Sequence, residues 1–185
     1  NLSFGRYLAK DDGFTLDLAK KTKTGFKAGI YFTPLNETAH NNMQHYFNLA
    51  TQDQSISTEP VNILNRTIPI VKASGTTIWF DFNDLCHTPR SQNDYIELCK
   101  HYNTFFISDI PCMKSNNYQQ IIPFIKCIDV LYDNQKQIVI SAETTPSGLY
   151  ESGKEINDYQ RTISRIIEMG SKDYSLKNKK ILTKN

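Results

Sequence analysis

An α/β fold, with a mostly parallel sheet flanked by helices and an antiparallel β-ribbon ahead of it, is what this 185-residue sequence predicts. Three observations lead there. Thr104–Ile110 (TFFISDI) and Gln137–Ala142 (QIVISA) are near-continuous apolar runs, as in strands buried on both faces. Tyr118–Asp133 lies between them, with Ile121, Ile122, Ile125, Ile128, Val130 and Leu131 on a broad helical face. A helical crossover of that kind is what joins parallel neighbours. Between Val61 and Phe82 the apolar period falls to two around a Lys72-Ala-Ser-Gly75 turn, which reads as a small antiparallel ribbon or meander.

Taken in order, the first element is a short strand, Phe14–Leu18, where Phe14, Leu16 and Leu18 alternate with polar residues. Lys20, Lys21, Lys23 and Lys27 follow as a solvated loop, phosphate or nucleic-acid contact being the alternative. The apolar run Gly29–Thr33 leads into a helix over Pro34–Ala50. Thr33 suits its N-cap and Pro34 its first helical position, with Asn36 and Thr38 as other cap candidates. Thr51–Glu59 is polar and aperiodic, a loop. Trp79, the only tryptophan, is assigned to packing the ribbon onto the rest. Ser91 and Asp94, three residues apart, form a capping box for a helix that carries Tyr95, Leu98, Cys99 and Tyr102 on one face. Arg90, just before the cap, is free to reach a carboxylate. Pro111 ends the first buried strand. Pro123 is tolerated only near a first turn, so the hydrogen-bonded helix is expected from Ile122. Asn157 or Asp158 caps the last helix, which runs to Met169 and stops at Gly170. Beyond Tyr174 the tail is basic and polar.

This divides the chain into an N-terminal segment, 1–58, containing helix 34–50; an α/β region, 59–174, with its ribbon over 61–82; and a basic tail, 175–185. A hydrophobic fraction of 39% is enough for a core. No apolar run approaches the roughly 18 residues of a membrane span, and no signal-peptide pattern opens the chain. The first residue is Asn rather than Met, so a piece of a longer product is expected. A net charge of +2 implies no nucleic-acid partner. Cys86, Cys99, Cys112 and Cys127 form no C-x-x-C pair and complete no zinc spacing, so reduced thiols of a cytosolic protein are expected and no metal ligands are assigned. His40 and His45 are five apart, wrong for two ligands on one helix face. Cys86 and His87 are adjacent and diverge, so they make no catalytic pair, and no catalytic residue is assigned.

The candidate site residues lie at the strand ends and on two helices. Asp109 and Glu143 end the two buried strands. If those strands are parallel neighbours, both acids face the crevice where α/β proteins bind ligands. One reading is a cation- or phosphate-linked site completed by Arg161 and Arg165, which share a helix face four residues apart. The other is that each acid caps a helix or pairs with an arginine, and that the arginines fix their helix to Asp109, Asp129 or Glu143. Glu168 stands three residues beyond Arg165, placed to pair with it. Arg90, Asp94 and Tyr95 are candidates for partner contact, against a simpler role as cap, core and ion pair.

Three strings in order, WFDFNDLCHTPRSQNDYIELCKHYNTFFISDIPCM, LYDNQKQIVISAE and YQRTISRIIEMGSKDY, resemble the later half of the ZapE family, AAA+-type ATPases related to the mitochondrial AFG-one-like ATPases. IYFTPLNETAHNNM resembles the segment after that family's nucleotide-binding core, so the resemblance covers about Gly29 to Tyr174 and makes residues 1–58 the junction to that core. It implies a cytoplasmic ATPase using ATP and Mg, acting on FtsZ at the bacterial division site, or a mitochondrial quality-control ATPase; RSQNDY favours the bacterial side. It also implies an Arg161 or Arg165 contact to nucleotide, and an oligomer is possible. The phosphate loop G-x-x-x-x-G-K-[ST] is absent. Ser152-Gly153-Lys154-Glu155, the nearest string, lacks the first glycine and the final hydroxyl. Where the family carries paired arginines at the head of the central helix, this chain has Ile122-Pro123. The expectation is therefore the C-terminal portion of a ZapE-like ATPase, its nucleotide-binding core missing here and no cofactor held by this chain alone. The alternative is a stand-alone interaction module without ATPase activity.

Overall fold

The computed structural model describes residues 30–52, 54–87, 90–115, 117–171 and 174. The strand expected over Phe14–Leu18, the lysine run and the tail beyond Tyr174 lie outside the described residues. In chain order the elements are β1 (Ile30–Phe32), α1 (Glu37–Thr51), β2 (Val61–Ile63), β3 (Arg66–Ile68), β4 (Lys72–Ser74), β5 (Thr77–Asp81), a π-helical turn (Asn83–His87), α2 (Gln92–His101), β6 (Thr104–Ile110), α3 (Tyr118–Asp133), β7 (Gln137–Ala142) and α4 (Ile156–Met169).

One five-stranded sheet runs in the order β1-β7-β6-β5-β4, and β2-β3 forms a separate two-stranded ribbon. β1, β7, β6 and β5 are parallel, and β4 closes the edge antiparallel to β5. The predicted fold class holds, with the ribbon narrower than expected. Only Val61–Ile68 is ribbon; the second hairpin, Lys72–Asp81, is part of the main sheet. Its β5 finds a better partner in β6, because Ile78 and Phe80 align there with Phe105 and Ile107 in one buried face. Trp79 accordingly does not pack the ribbon. It faces α1, between Phe47 and Phe106.

Three helix starts differ from expectation. α1 begins at Glu37, because Asn36 is extended and its carboxamide oxygen accepts the Ala39 N–H at 2.8 Å; Thr33 and Pro34 lie before the helix. α1 buries Ala39, Met43 and Phe47, each full burial of the larger two contributing about 1.5–3 kcal/mol. α3 is helical from Tyr118, with Pro123 inside it. The missing N–H there would have served the Gln119 carbonyl, on an exposed residue of the first turn where water can replace it. α4 starts at Ile156, with Glu155 in the cap position rather than Asn157 or Asp158. Its buried stripe is Tyr159, Thr162, Ile163, Ile166 and Met169, and Tyr159 in the first turn packs edge-on against Tyr150 of the preceding loop.

Candidate functional site

The strand-end acids meet at the carboxyl edge of the sheet. β6 and β7 are parallel neighbours, so Asp109 and Glu143 lie at the same edge. Ile107 pairs with Ile140 and Ile110 with Ala142, leaving Ser108 and Asp109 opposite Ser141 alone. This bulge is absorbed by Asp109 at φ 63°, whose N–H donates to Ser141 Oγ at 3.1 Å. It turns the Asp109 side chain to solvent while its neighbours stay buried. Glu143 is also exposed, and its Oε2 accepts the Cys112 N–H at 2.8 Å. Burial, with the Glu143 charge beside it, pushes the Cys112 thiol up.

A third acid at this edge, Asp81, was not singled out in the sequence. It ends β5 as Asp109 nearly ends β6, and that repeated strand-acid pattern was the available signal. Burial pushes its carboxyl up, and the charges of Asp109 and Asp84 add to this against the Asn83 N–H, which donates to Asp81 Oδ1 at 2.8 Å. The loop after β7 is held down beside these acids. Tyr31 donates its hydroxyl to the Thr144 carbonyl at 2.6 Å, and Tyr159 to that of Pro146 at 2.7 Å. Burial pushes both phenols well above their ordinary range.

Arg161 and Arg165 do not join Asp109 and Glu143. They clamp α4 to α3. Arg161 reaches Asp129 at 3.0 Å and Asp158 at 3.7 Å. Arg165 reaches the other oxygen of Asp129 and, at 3.4 Å, Asp133. Arg165 is 19% exposed and lies over the Tyr132 ring, whereas Arg161 is 51% exposed. Glu168 accepts from the Tyr132 hydroxyl at 2.7 Å rather than pairing with Arg165. Sequence spacing put the arginines on one face, but only tertiary packing could select Asp129.

The third group lies between the ribbon and α2. Asp94 is 1% exposed and pairs with Arg66 of β3, while its Oδ2 also accepts the Ser91 N–H at 2.8 Å. Its Oδ1 is buried without a partner among the described residues. Among the described residues Arg90 reaches no carboxylate. It donates to the Asp84 and Leu85 carbonyls, closing the π-helical turn, whose orphan C=O groups need a donor. Tyr95 is buried in the core and donates to the Leu85 carbonyl at 3.1 Å. Arg66, the residue of this group that reaches solvent, was missed because nothing local ties it to Asp94. His40 and His45 are exposed, and the cysteines are free thiols, Cys112 exposed and the others buried.

A triphosphate asks for backbone N–H cradles, cationic side chains and magnesium ligands. The carboxyl edge presents Asp81, Asp109 and Glu143, and both arginines are already engaged by carboxylates. Among the described residues no group of His, Cys, Asp and Glu side chains is arranged to hold a metal ion. These residues do not fit ATP with magnesium. Among them, too, no helix is long and apolar enough to cross a membrane.

Comparison with known proteins gives the relationship. An uncharacterised protein of Schizosaccharomyces pombe is 37% identical over 92 residues, covering 50% of this chain and 20% of that protein. Cell division protein ZapE of Escherichia coli is 25% identical over 154 residues, covering 83% of this chain and 41% of its own length. Lactation elevated protein 1 homolog B of Danio rerio is 24% identical over 156 residues, covering 83% of this chain and 31% of its own. The chain thus spans less than half the length of these relatives. No solved structure matches it. The AFG1-like ATPase family profile matches residues 20–178, and the chain belongs to that family.

Proposed function

We propose that this chain is the later, C-terminal portion of a ZapE-like ATPase, a folded α/β scaffold that works with a nucleotide-gripping core not contained in this sequence. The observation that carries this is the family match over residues 20–178 in a chain without a G-x-x-x-x-G-K-[ST] string. Nucleotide chemistry then belongs to the whole protein. Arg161 and Arg165 serve as the clamp of α4 on α3, and the exposed Arg161 is the one available to an external anion. Arg90, Asp94 and Tyr95 shape the surface between the ribbon and α2 from beneath, with Arg66 as its solvent-facing charge. By its cell-division relative, the client is a protein such as the FtsZ polymer, met in the cytoplasm at the division site. The test is turnover: the chain alone, given ATP and magnesium, should release no phosphate above background. Clear magnesium-dependent hydrolysis would overturn the assignment.

A second reading, an interaction module that functions without an ATPase half, is favoured by one observation. The described residues close a core of their own around the sheet, with Phe80, Phe105 to Ile107 and Phe124 almost fully buried. The reading frame upstream of Asn1 separates the two: an in-frame phosphate loop supports the portion, a start codon there the module.

A further inference from the structure

The two-stranded ribbon closes on a turn that one of its residues does not favour. Ile63 of β2 pairs with Arg66 of β3, so Leu64 and Asn65 alone make the turn. Both have left-handed backbone, with φ 49° at Leu64 and 62° at Asn65. Two-residue hairpin turns with positive φ at both positions ask for Asn-Gly or Asp-Gly. Asn tolerates that region, whereas at Leu64 the Cβ crowds the following carbonyl oxygen. No burial offsets this, because Leu64 is 52% exposed. The rest of the ribbon is held firmly. Ile63 and Ile68 are buried in the core, and Thr67 donates to Asn62 Oδ1 at 2.9 Å across the two strands. A strained, exposed apolar residue at the tip of an anchored hairpin is placed for a contact outside the molecule.

The charge beside it selects the kind of contact. Residues 60–71 hold one charged side chain, Arg66. Its counter-ion Asp94 is buried while Arg66 stands half exposed, so the tip shows solvent a cation and no anion. One guanidinium nitrogen serves Asp94, and among the described residues the others have no hydrogen-bond partner. A planar guanidinium can take a further carboxylate side-on. Nucleic acid fits less well, since phosphate binding draws on several cations. We propose that this tip, Leu64 with Arg66, is a docking finger whose occupant is an acidic segment of a partner protein. That segment covers Leu64 with an apolar side chain and sets a carboxylate against Arg66. Such a finger serves equally in a portion of a larger ATPase and in a module that stands alone.

Methyl NMR on the full, leucine-labelled chain tests this with no nucleotide present, so its outcome is separate from that of the phosphate-release assay. The probe is a synthetic peptide of glutamates interspersed with leucine and phenylalanine. The expected result is a saturable shift of the Leu64 methyl signals that weakens as salt rises. Leu64→Asn suits the left-handed turn, so its melting temperature should match or exceed the parent's while peptide affinity falls about tenfold or more. Arg66→Lys keeps the charge facing Asp94 but loses the fork, and should weaken binding several-fold. No shift at Leu64 up to millimolar peptide would overturn the proposal, as would undiminished binding by Leu64→Asn. An equal shift with lysines in place of the glutamates would also overturn it, and an equal shift with a thymidine oligonucleotide would transfer the tip to nucleic acid.

Discussion

The sheet has two faces built to different rules. Toward α2 and α3 lie two apolar rows: Ala73, Ile78, Phe105 and Ile138, then Phe80, Ile107, Ile140 and Tyr31. Toward α1 a single apolar row, Trp79, Phe106 and Val139, ends in Lys72, whose ammonium sits over the Phe47 and Trp79 rings. Polar rows flank it. Ser74, Thr77, Thr104 and Gln137 lie on one side, and Asp81, Ser108 and Ser141 on the other, where the row ends in the buried Phe32 of β1. Apart from the Tyr31 hydroxyl, which donates to the Thr144 carbonyl, the first face draws its stability from apolar burial and packing. The second must satisfy its hydroxyls one by one. Trp79 Nε1 donates to Ser108 Oγ at 3.0 Å and the Asp109 N–H serves Ser141, but Ser74 Oγ is buried without a partner among the described residues. Stability is therefore concentrated on the first face, and the acidic carboxyl edge opens from the second.

The sharpest way to break this contrast is Phe105→Ala. It removes a ring from the dry face and should lower unfolding free energy by about 3–5 kcal/mol in a denaturant titration. A loss under about 1 kcal/mol would mean the face is not the source of stability.

Arg165→Ala comes next, at about 1–3 kcal/mol, because a half-buried guanidinium bonded to two carboxylates is lost. Arg161→Ala should cost less than about 1 kcal/mol, since its pairs are solvent-screened. Equal losses would show that the two arginines do not divide the clamp as their exposures imply.

How far the sequence foretold this division can be argued from single residues. The continuous apolar runs of β6 and β7 announced strands buried on both faces, and they are adjacent and parallel. β5 was placed in a ribbon because its turn with β4 is local, while its pairing with β6 depends on contacts across α2. The bulge at Asp109 left no trace in composition, because it is a matter of register against another strand, where the Asp109 N–H meets the Ser141 hydroxyl. The arginines were legible as a pair, but their choice of Asp129 over the strand-end acids depends on how α4 lies on α3. Asp94 was legible as a cap, and its partner Arg66 was not.

Ser74→Ala tests the second face more gently. It removes a buried hydroxyl that bonds nothing among the described residues, so stability should be unchanged or rise by up to about 1 kcal/mol. A clear loss would show a hidden partner.

The smallest expected effect is at Asp81. Its folded carboxyl is pushed up, so between the ordinary carboxylate range and that raised value the folded state holds more proton than the unfolded. Stability from this group therefore falls as pH rises through that window. Asp81→Asn keeps an oxygen for the Asn83 N–H and removes the charge facing Asp109. Its melting temperature should exceed the parent's slightly at neutral pH, and the gain should vanish on acidification into the carboxylate range. A gain that persists at low pH would contradict the assignment.

The most direct measurement of whether a scaffold stands here without the means to grip triphosphate is calorimetric titration of this chain with magnesium ATP, paired with thermal melts at millimolar nucleotide. A ligand present at a hundredfold its dissociation constant would stabilise the fold by about 2.7 kcal/mol, a shift such melts resolve. The expected result is no saturable heat and an unchanged melting temperature. Saturable, magnesium-dependent heat with a raised melting temperature would contradict it.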